Sequence, residues 1–224
     1  DEIESYNDSP AELIYDEFEN LLFANHALGH NILGTAERVR SFKTADAQRF
    51  TQRCYRPENS IFFLYGDVDF KRVVRLLERA TSDFAPSKPI IEPALNQPLP
   101  LNMPDFIEKN HGTHQAHVMV GTRGYDIHDK RRMSLYLLNN LLGGPGMNAR
   151  LNLSLRERHG LVYTVESSMV SYCDTGVWAI YFGCDPKDVG RCLKLVRKEL
   201  DRVIQKPLSD TQLRAVKKQI KGQI

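Results

Sequence analysis

The sequence of 224 residues lacks the features that mark several specialised classes of protein. No run of eighteen apolar residues occurs in it, which argues against a membrane-spanning helix and a membrane partner. It begins Asp-Glu-Ile-Glu-Ser, with neither a basic nor an apolar leader, so this stretch contains no secretory signal. Hydrophobic residues make up 42% and charged residues 26%, which argues against disorder over most of the length. The composition predicts one large folded domain or two small ones.

Cysteine pairs are also missing. The four cysteines lie far apart and form no C-x-x-C motif. We interpret Cys54, Cys173, Cys184 and Cys192 as free, mostly buried thiols. Free thiols favour a reducing compartment, so we expect the cytoplasm, with the periplasm or an organelle left open.

Positive charge is absent from the first part of the chain. No Lys or Arg precedes Arg38, and the first 37 residues carry nine acidic side chains. From Lys187 to the end, eleven Lys and Arg stand against four Asp and Glu. Such a basic tail raises a nucleic-acid-binding module as one hypothesis. Its cations fall on the solvent face of amphipathic helices without interleaved aromatics, so we expect a solvated surface and no nucleic-acid partner.

Hydrophobic periodicity predicts helices and strands on both sides of a proline-rich stretch. Six of the eleven prolines lie between residues 86 and 104, which excludes a continuous helix and indicates an extended linker. The pattern predicts helices over residues 10–24, 45–54, 69–81, 129–142, 147–159 and 187–205, and a last one after Ser209. Ser9, Thr44 and Ser209 are the expected N-caps, the last with Gln212 in a capping box. Predicted strands cover residues 60–65, 117–121, 163–169 and 176–183.

Two histidine clusters have residue types suited to a metal, but their patterns argue against one. His26 and His30 have the spacing of two ligands on one helix face, yet Ala27 stands where a zincin has glutamate. The segment His111–His117 ends in a predicted strand, which points its last two histidines to opposite faces. The glycine-rich run Gly143–Met147 lacks the Lys-Ser/Thr of a phosphate-binding loop, so we interpret it as a helix–helix connection.

Three further residues are candidates for chemistry. Arg156 ends a predicted helix, and an arginine fixed there can hold a peptide carbonyl or carboxylate. Tyr163 begins the next predicted strand, and its hydroxyl can stabilise an oxyanion. Glu2 can offer an oxygen to a metal. From the residues alone, a surface arginine, a packing tyrosine and an exposed acidic terminus explain the same positions.

Four segments in consistent order resemble the pitrilysin/insulinase-type zinc peptidases, peptidase family M16, in their shorter bacterial and mitochondrial-processing type. They are Asp1–Pro10, Asn25–Gly34, Tyr55–Val68 and Leu155–Tyr163, and the resemblance covers nearly the whole chain. It implies an α+β, LuxS/mitochondrial-processing-peptidase-like metallohydrolase fold. In that fold antiparallel sheets have helices packed on one face, and two units follow in tandem, the first incomplete here.

The resemblance also implies a domain division. Residues 1–85 would be the C-terminal part of the first, zinc-bearing domain, and residues 86–105 the proline-rich linker. Residues 106–224 would form most of the second, non-zinc domain, truncated at its C-terminus.

The implied activity depends on a motif that these residues lack. Family members carry H-x-x-E-H, whose histidines bind zinc and whose glutamate is the general base. No such motif occurs in the 224 residues. We therefore expect it upstream, with no catalytic residue in this chain and no zinc bound to the chain alone, which is expected to be inactive.

The resemblance implies that Glu2 is the third zinc ligand and that Arg156 and Tyr163 contact the peptide substrate. The intact protein is then expected to be a zinc metalloendopeptidase that hydrolyses flexible peptides enclosed in a chamber. The alternative is a non-catalytic structural or substrate-guiding subunit of the same family. A homodimer, or association with another M16-type domain, is left open.

Overall fold

The computed structural model describes residues 2–84 and 105–222. These residues fall into two compact units, one made of residues 2–33 and 105–222, the other of residues 34–84. The predicted linker lies almost wholly outside the described residues, so the linker and the domain boundaries at residues 85 and 105 stay predictions.

Helices outnumber strands in the described residues. In chain order the helices are α1 (Glu2–Asn7), α2 (Pro10–Leu22), α3 (Ala36–Ser41), α4 (Thr44–Cys54), α5 (Phe70–Ala80), α6 (Arg132–Gly143), α7 (Val189–Gln205) and α8 (Asp210–Lys221). The strands are β1 (Ala116–Arg123), β2 (Val162–Ser171) and β3 (Gly176–Cys184). Short 3₁₀ turns cover Pro57–Asn59 and Pro186–Asp188, and a π-helical turn covers Asn152–Glu157.

The unit of residues 2–33 and 105–222 is built around an antiparallel sheet in the order β1-β3-β2. The central strand β3 is rich in β-branched and aromatic residues, and it is buried along almost its whole length. Its residues Ile180 and Phe182 face a core shared with α6 and α7. On the opposite face, Val177 packs with the end of α2, and Tyr181 contacts Tyr15 of that helix. The predicted α+β class is confirmed, and α2 adds a helix on the second face of the sheet.

The main core of this unit lies between the sheet and the helices that follow it in the chain. Its fully or nearly fully buried members are Leu142, Leu151, Leu155, Leu161, Val162, Ile180, Phe182, Cys184, Cys192 and Val196. Burial of a side chain of this size stabilises the fold by about 1.5–3 kcal/mol. These residues anchor the segment between α6 and β2, which carries Arg156, and the start of β2, which carries Tyr163.

Close backbone approach lets α2 lie against β1. A Cβ on Gly121 would stand 2.8 Å from the Phe18 ring and 2.3 Å from the Trp178 carbonyl oxygen. Only glycine fits there without displacing the helix or the neighbouring strand. Arg123 Nη2 also donates to the Leu22 carbonyl oxygen at 3.1 Å, which satisfies a carbonyl in the last turn of α2.

The unit of residues 34–84 contains three helices, and none of its residues is buried. The strand predicted over residues 60–65 is wrong: the segment has no neighbouring strand in the described part of the chain. Ile61 and Tyr65 are 97% and 94% exposed. A single extended segment leaves its backbone donors and acceptors without sheet partners, so apolar sequence alone does not make it a strand.

Of the three predicted N-caps, one is formed in the structure as expected. The capping box of α8 is confirmed, because Ser209 Oγ accepts from Gln212 N at 3.3 Å and Gln212 Oε1 accepts from Ser209 N at 3.0 Å. Pro10 begins α2 as predicted, but the Ser9 side chain makes no capping bond. The Thr44 cap is wrong, since Thr44 is the first residue of α4 and Lys43 occupies the cap position. None of the helices in the two described ranges is long and apolar enough to cross a membrane.

Candidate functional site

Arg156 lies in the π-helical turn Asn152–Glu157, where an α-helix had been predicted. The preceding Leu155 is completely buried, whereas the Arg156 side chain is 52% exposed. Its Nε is 4.0 Å from a carboxylate oxygen of Glu157, too far for a hydrogen bond. Single π-helical turns are frequent at functional sites, because they change the direction in which side chains leave the helix. The turn therefore presents an arginine that has no strong partner among the residues that the structure describes.

The backbone after Arg156 is fixed by Gly160. This glycine has φ +60°, and its N–H donates to the Arg156 carbonyl oxygen at 2.8 Å. Leu161 N then donates to the Leu155 carbonyl oxygen at 3.0 Å. A left-handed residue closing a helical turn in this way is the usual glycine cap. The cap holds Arg156 in a defined position relative to the start of β2.

Tyr163 stands on a β-bulge. The neighbouring pairs on β3 are Val162 with Cys184 and Thr164 with Gly183, so Tyr163 has no residue opposite it. Its side chain is 62% exposed, and its hydroxyl makes no hydrogen bond within the described ranges. Bulges re-aim a side chain and are over-represented beside active sites. Arg156 and Tyr163 thus both lie on local irregularities next to a rigid core.

Glu2 is the first residue of α1, and its side chain is exposed. The described residues contain no group of three or more His, Cys, Asp or Glu side chains that could hold a metal ion. A catalytic zinc site needs three protein ligands and an open position. The described part of the chain therefore does not supply a zinc site, and Glu2 is at most one member of a ligand set.

The two histidine clusters have structural partners. His26 Nε2 lies 3.2 Å from Asp174 Oδ2, which joins the segment after α2 to the β2–β3 hairpin. His117 Nδ1 lies 2.8 Å from Tyr181 Oη, and burial lowers the pKa of His117. Among the described residues, neither histidine belongs to a group of three or more His, Cys, Asp or Glu side chains that could hold a metal ion.

A polar cluster between α2 and the sheet escaped the sequence analysis. Tyr15 Oη donates to Glu166 Oε1 at 2.5 Å, and burial, followed by this hydrogen bond, raises the pKa of Tyr15. Tyr172 Oη lies 3.3 Å from both carboxylate oxygens of Glu19, whose pKa is raised by burial. The sequence feature that could have revealed this cluster is helical spacing. Tyr15, Glu19 and the buried Leu22 are four and three positions apart, so they lie on the same, packed face of α2.

All four cysteines are free, as predicted. Cys184 and Cys192 are completely buried in the main core, and burial raises the pKa of Cys184 to about 12. A thiol of that kind is inert at neutral pH. Cys173 is exposed and Cys54 half-buried, so only two of the four match the expectation of burial.

Two solved structures with the same fold are named as a peptidase M16 inactive domain and a protease. The chain superposes on a peptidase M16 inactive domain from Pseudomonas fluorescens with a TM-score of 0.80 at 20% identity, covering 98% of this chain and 53% of that one. A protease from Helicobacter pylori gives a TM-score of 0.79 at 20% identity, covering 97% and 53%. At this identity the likeness defines the fold: an antiparallel sheet with packed helices, as in the domains of these peptidases.

Sequence comparison gives the family. The description "Peptidase M16 inactive domain" matches residues 41–220. The chain therefore belongs to the peptidase M16 family, and the resemblance inferred from its sequence is confirmed. The matched domain is of the inactive type, so catalytic activity does not follow from the match.

Two curated relatives carry protease names. An uncharacterized zinc protease of Streptomyces coelicolor is 34% identical over 230 residues, which cover 99% of this chain and 49% of the relative. The uncharacterized zinc protease YmxG of Bacillus subtilis is 27% identical over 228 residues, covering 100% and 53%. The chain thus spans about half the length of the curated relatives it matches.

Proposed function

We propose that this chain is part of a zinc-dependent metalloendopeptidase and contributes its substrate-contacting half. The observation that carries the proposal is the pair Arg156 and Tyr163, exposed on a π-helical turn and a β-bulge beside fully buried Leu155. Membership in the M16 family and the zinc-protease names of the relatives support it.

Each of the two residues has a chemical role in this proposal. The Arg156 guanidinium donates to a peptide carbonyl or carboxylate and fixes the register of the substrate. The Tyr163 hydroxyl donates to the oxygen on which negative charge develops, and stabilisation there lowers the barrier. Glu2 supplies one oxygen ligand to the zinc of the natural protein, and the remaining ligands and the general base come from outside these 224 residues.

The proposed substrate is a flexible peptide enclosed in a chamber, with residues 106–224 as the wall opposite the zinc. Enclosure selects substrates by exclusion, because a folded protein does not fit inside. Association with a second M16-type domain or a second copy of the chain, and a cytoplasmic location, belong to the same proposal.

The first test uses the natural protein that contains this chain. Elemental analysis measures its zinc, and cleavage of a long unstructured peptide is followed with and without a chelator. About one zinc per chain and chelator-sensitive cleavage support the proposal. No zinc and no cleavage would contradict it and leave the family assignment intact.

A second test isolates the tyrosine. In the natural protein, Tyr163→Phe is expected to lower kcat by about 10- to 100-fold with little change in KM, because the hydroxyl acts on charge that develops in the transition state. Tyr136→Phe is the matched control, since Tyr136 is an exposed tyrosine on α6. Equal kcat of the Tyr163→Phe and Tyr136→Phe variants would show that the Tyr163 hydroxyl has no role in catalysis.

Arginine is tested in the same way. Arg156→Gln is expected to raise KM at least tenfold for the same peptide, because it removes a charge-assisted contact with the substrate. Arg191→Gln, a charge removal on the exposed side of α7, should leave KM unchanged. A rise in KM of the same size in both variants would indicate a general electrostatic effect and would contradict a specific contact.

The alternative function is a non-catalytic structural or substrate-guiding subunit. The description of the matched domain as inactive favours it. Under this alternative the natural protein binds peptide without cleaving it, and Arg156→Gln weakens binding although no activity is present.

A further inference from the structure

A cleft on the unit of residues 2–33 and 105–222 is lined by four cationic side chains among eight residues. It lies between the π-helical turn, the end of α7 and the first turn of α8, and its volume is about 320 Å³. The lining residues are Arg150, Leu153, Arg158, Glu199, Arg202, Lys206, Pro207 and Gln212. Roughly ten water molecules would fill such a volume, so the cleft is larger than a single small ion.

Among the described residues that line the cleft, four are cationic and one is a carboxylate. Its one lining carboxylate, Glu199, is 3% exposed and accepts from Arg202 Nη1 at 3.0 and 3.1 Å. That pair accounts for one of the lining cations and for the one carboxylate among the described lining residues. Arg150, Arg158 and Lys206 make no ion pair within residues 2–84 and 105–222. Three like charges in a concave site with partly buried walls create a positive potential that attracts a multivalent anion.

Arg150 adds a directional feature to this potential. Its Nη1 is inaccessible to solvent and has no hydrogen-bond acceptor in the described part of the chain. Buried polar atoms almost always have a partner, and a buried guanidinium nitrogen gains most from an anionic acceptor. A ligand oxygen could bond to Nη1 only after a movement that uncovers this atom, which is covered in the structure.

We propose that this cleft binds a small polyanion of the phosphate type, such as a diphosphate or the phosphate chain of a nucleotide. The unpaired cations come from both ends of the π-helical turn and from the residue after α7, so they approach a ligand from different directions. Tetrahedral phosphate groups offer acceptor oxygens in all these directions, whereas a carboxylate offers two oxygens in one plane. None of the proposed peptidase residues Glu2, Arg156 and Tyr163 lines this cleft, and the proposed binding does not require zinc.

The test is calorimetric titration of the natural protein with inorganic pyrophosphate at constant ionic strength. We expect saturable binding with one site per chain. Arg158→Gln and Lys206→Gln, both exposed residues of the cleft, should each raise the Kd at least tenfold. The matched control is Lys217→Gln, which removes one exposed charge from α8 outside the cleft and should leave the Kd within twofold.

Arg150→Gln is expected to abolish binding, and thermal unfolding of each variant shows whether it is folded. If Arg150→Gln fails to fold, the two exposed variants still decide the question. Absence of saturable binding would overturn the proposal. So would equal weakening by the control variant, which would indicate diffuse surface charge, or tighter binding of citrate than of pyrophosphate, which would indicate a carboxylate site.

Discussion

At the residue scale, Gly160 links the backbone conformation to the candidate site. Its φ of +60° is left-handed, and a Cβ built there would have no heavy atom within 4 Å. Gly160→Ala therefore meets no steric clash with its surroundings, and its cost is the conformational one of about 1–2 kcal/mol. We expect the free energy of unfolding of the chain to fall by that amount in chemical denaturation.

Gly190 provides the matched control. It also has open space around a built Cβ, but it lies in the first turn of α7 and has no positive φ. Gly190→Ala should raise the free energy of unfolding by up to about 1 kcal/mol, because alanine restricts the unfolded chain and suits a helix. Effects of the same sign at the two positions would contradict the assigned conformation of Gly160.

His117 predicts a pH dependence of stability. Burial lowers its pKa in the folded state, so the unfolded chain binds a proton more readily. The neutral form therefore contributes full stability above the unfolded pKa of about 6.5, and stability is lost as pH falls below that value toward the folded pKa. Denaturation followed by the fluorescence of Trp178, the single tryptophan, should show this loss between pH 7.5 and 5.5. His117→Gln should lose less stability over the same interval, and an identical loss would assign the dependence to other groups.

Residue patterns predicted burial well where periodicity was strong, and less well at element ends. Val196 and Cys192 lie in the core, at the helical spacing of an apolar stripe on α7, whereas the apolar Ile204 near the end of the helix is 78% exposed. Val203 in the same turn still packs against the main core, so Ile204 lies on the outer side of that turn. Glu199 shows the reverse. Its position in the helical repeat of α7 predicts burial, and it is buried, although a charged residue type is usually exposed.

At the scale of elements, α8 depends on its capping box. Ser209 and Gln212 satisfy each other's backbone N–H groups. Ser209→Ala is expected to lower the free energy of unfolding by about 1 kcal/mol. Ser9→Ala is the matched control: Ser9 precedes α2 but makes no side-chain capping bond, so the change should be within about 0.5 kcal/mol. A larger loss at Ser9 than at Ser209 would contradict the two cap geometries.

Most of the longer regular elements were predictable from the sequence, whereas the short helices α1 and α3 and the irregular elements at the candidate site were not. The runs over β2 and β3 are β-branched and aromatic, so their existence and pairing follow from pattern and turn spacing. The π-helical turn and the bulge at Tyr163 arise from tertiary packing around Leu155 and Val162, which no local periodicity reports. The substrate-binding roles of Arg156 and Tyr163 therefore follow from the family resemblance, whereas the irregular backbone at both residues is seen only in the structure.

On the scale of the whole molecule, the two units differ in what stabilises them. The unit of residues 2–33 and 105–222 has a core centred on β3, with Ile180 and Phe182 fully buried. In the unit of residues 34–84 the helices α3, α4 and α5 contain no buried residue. Isolated helices of 6 to 11 residues are marginal in water, because helix nucleation is costly and most helical stability comes from packing. The sequence gives no warning of this, since Ser60–Tyr65 is as apolar as a buried strand.

Hydrogen exchange on the 224-residue chain measures this difference directly. We expect the amides of α4 and α5 to exchange orders of magnitude faster than those of β3, because local opening of a unit without a core costs little free energy. Amides of α7 are the control for helices: α7 packs against the main core through Cys192 and Val196, so its inner turns should be protected like the sheet. If the amides of α7 also exchanged fast, the fast exchange of α4 and α5 would be a property of helices in this chain and not of a unit without a core. Protection of α4 and α5 equal to that of β3 would show that residues 34–84 are stabilised as strongly as the core, and the division into units of unequal stability would be wrong.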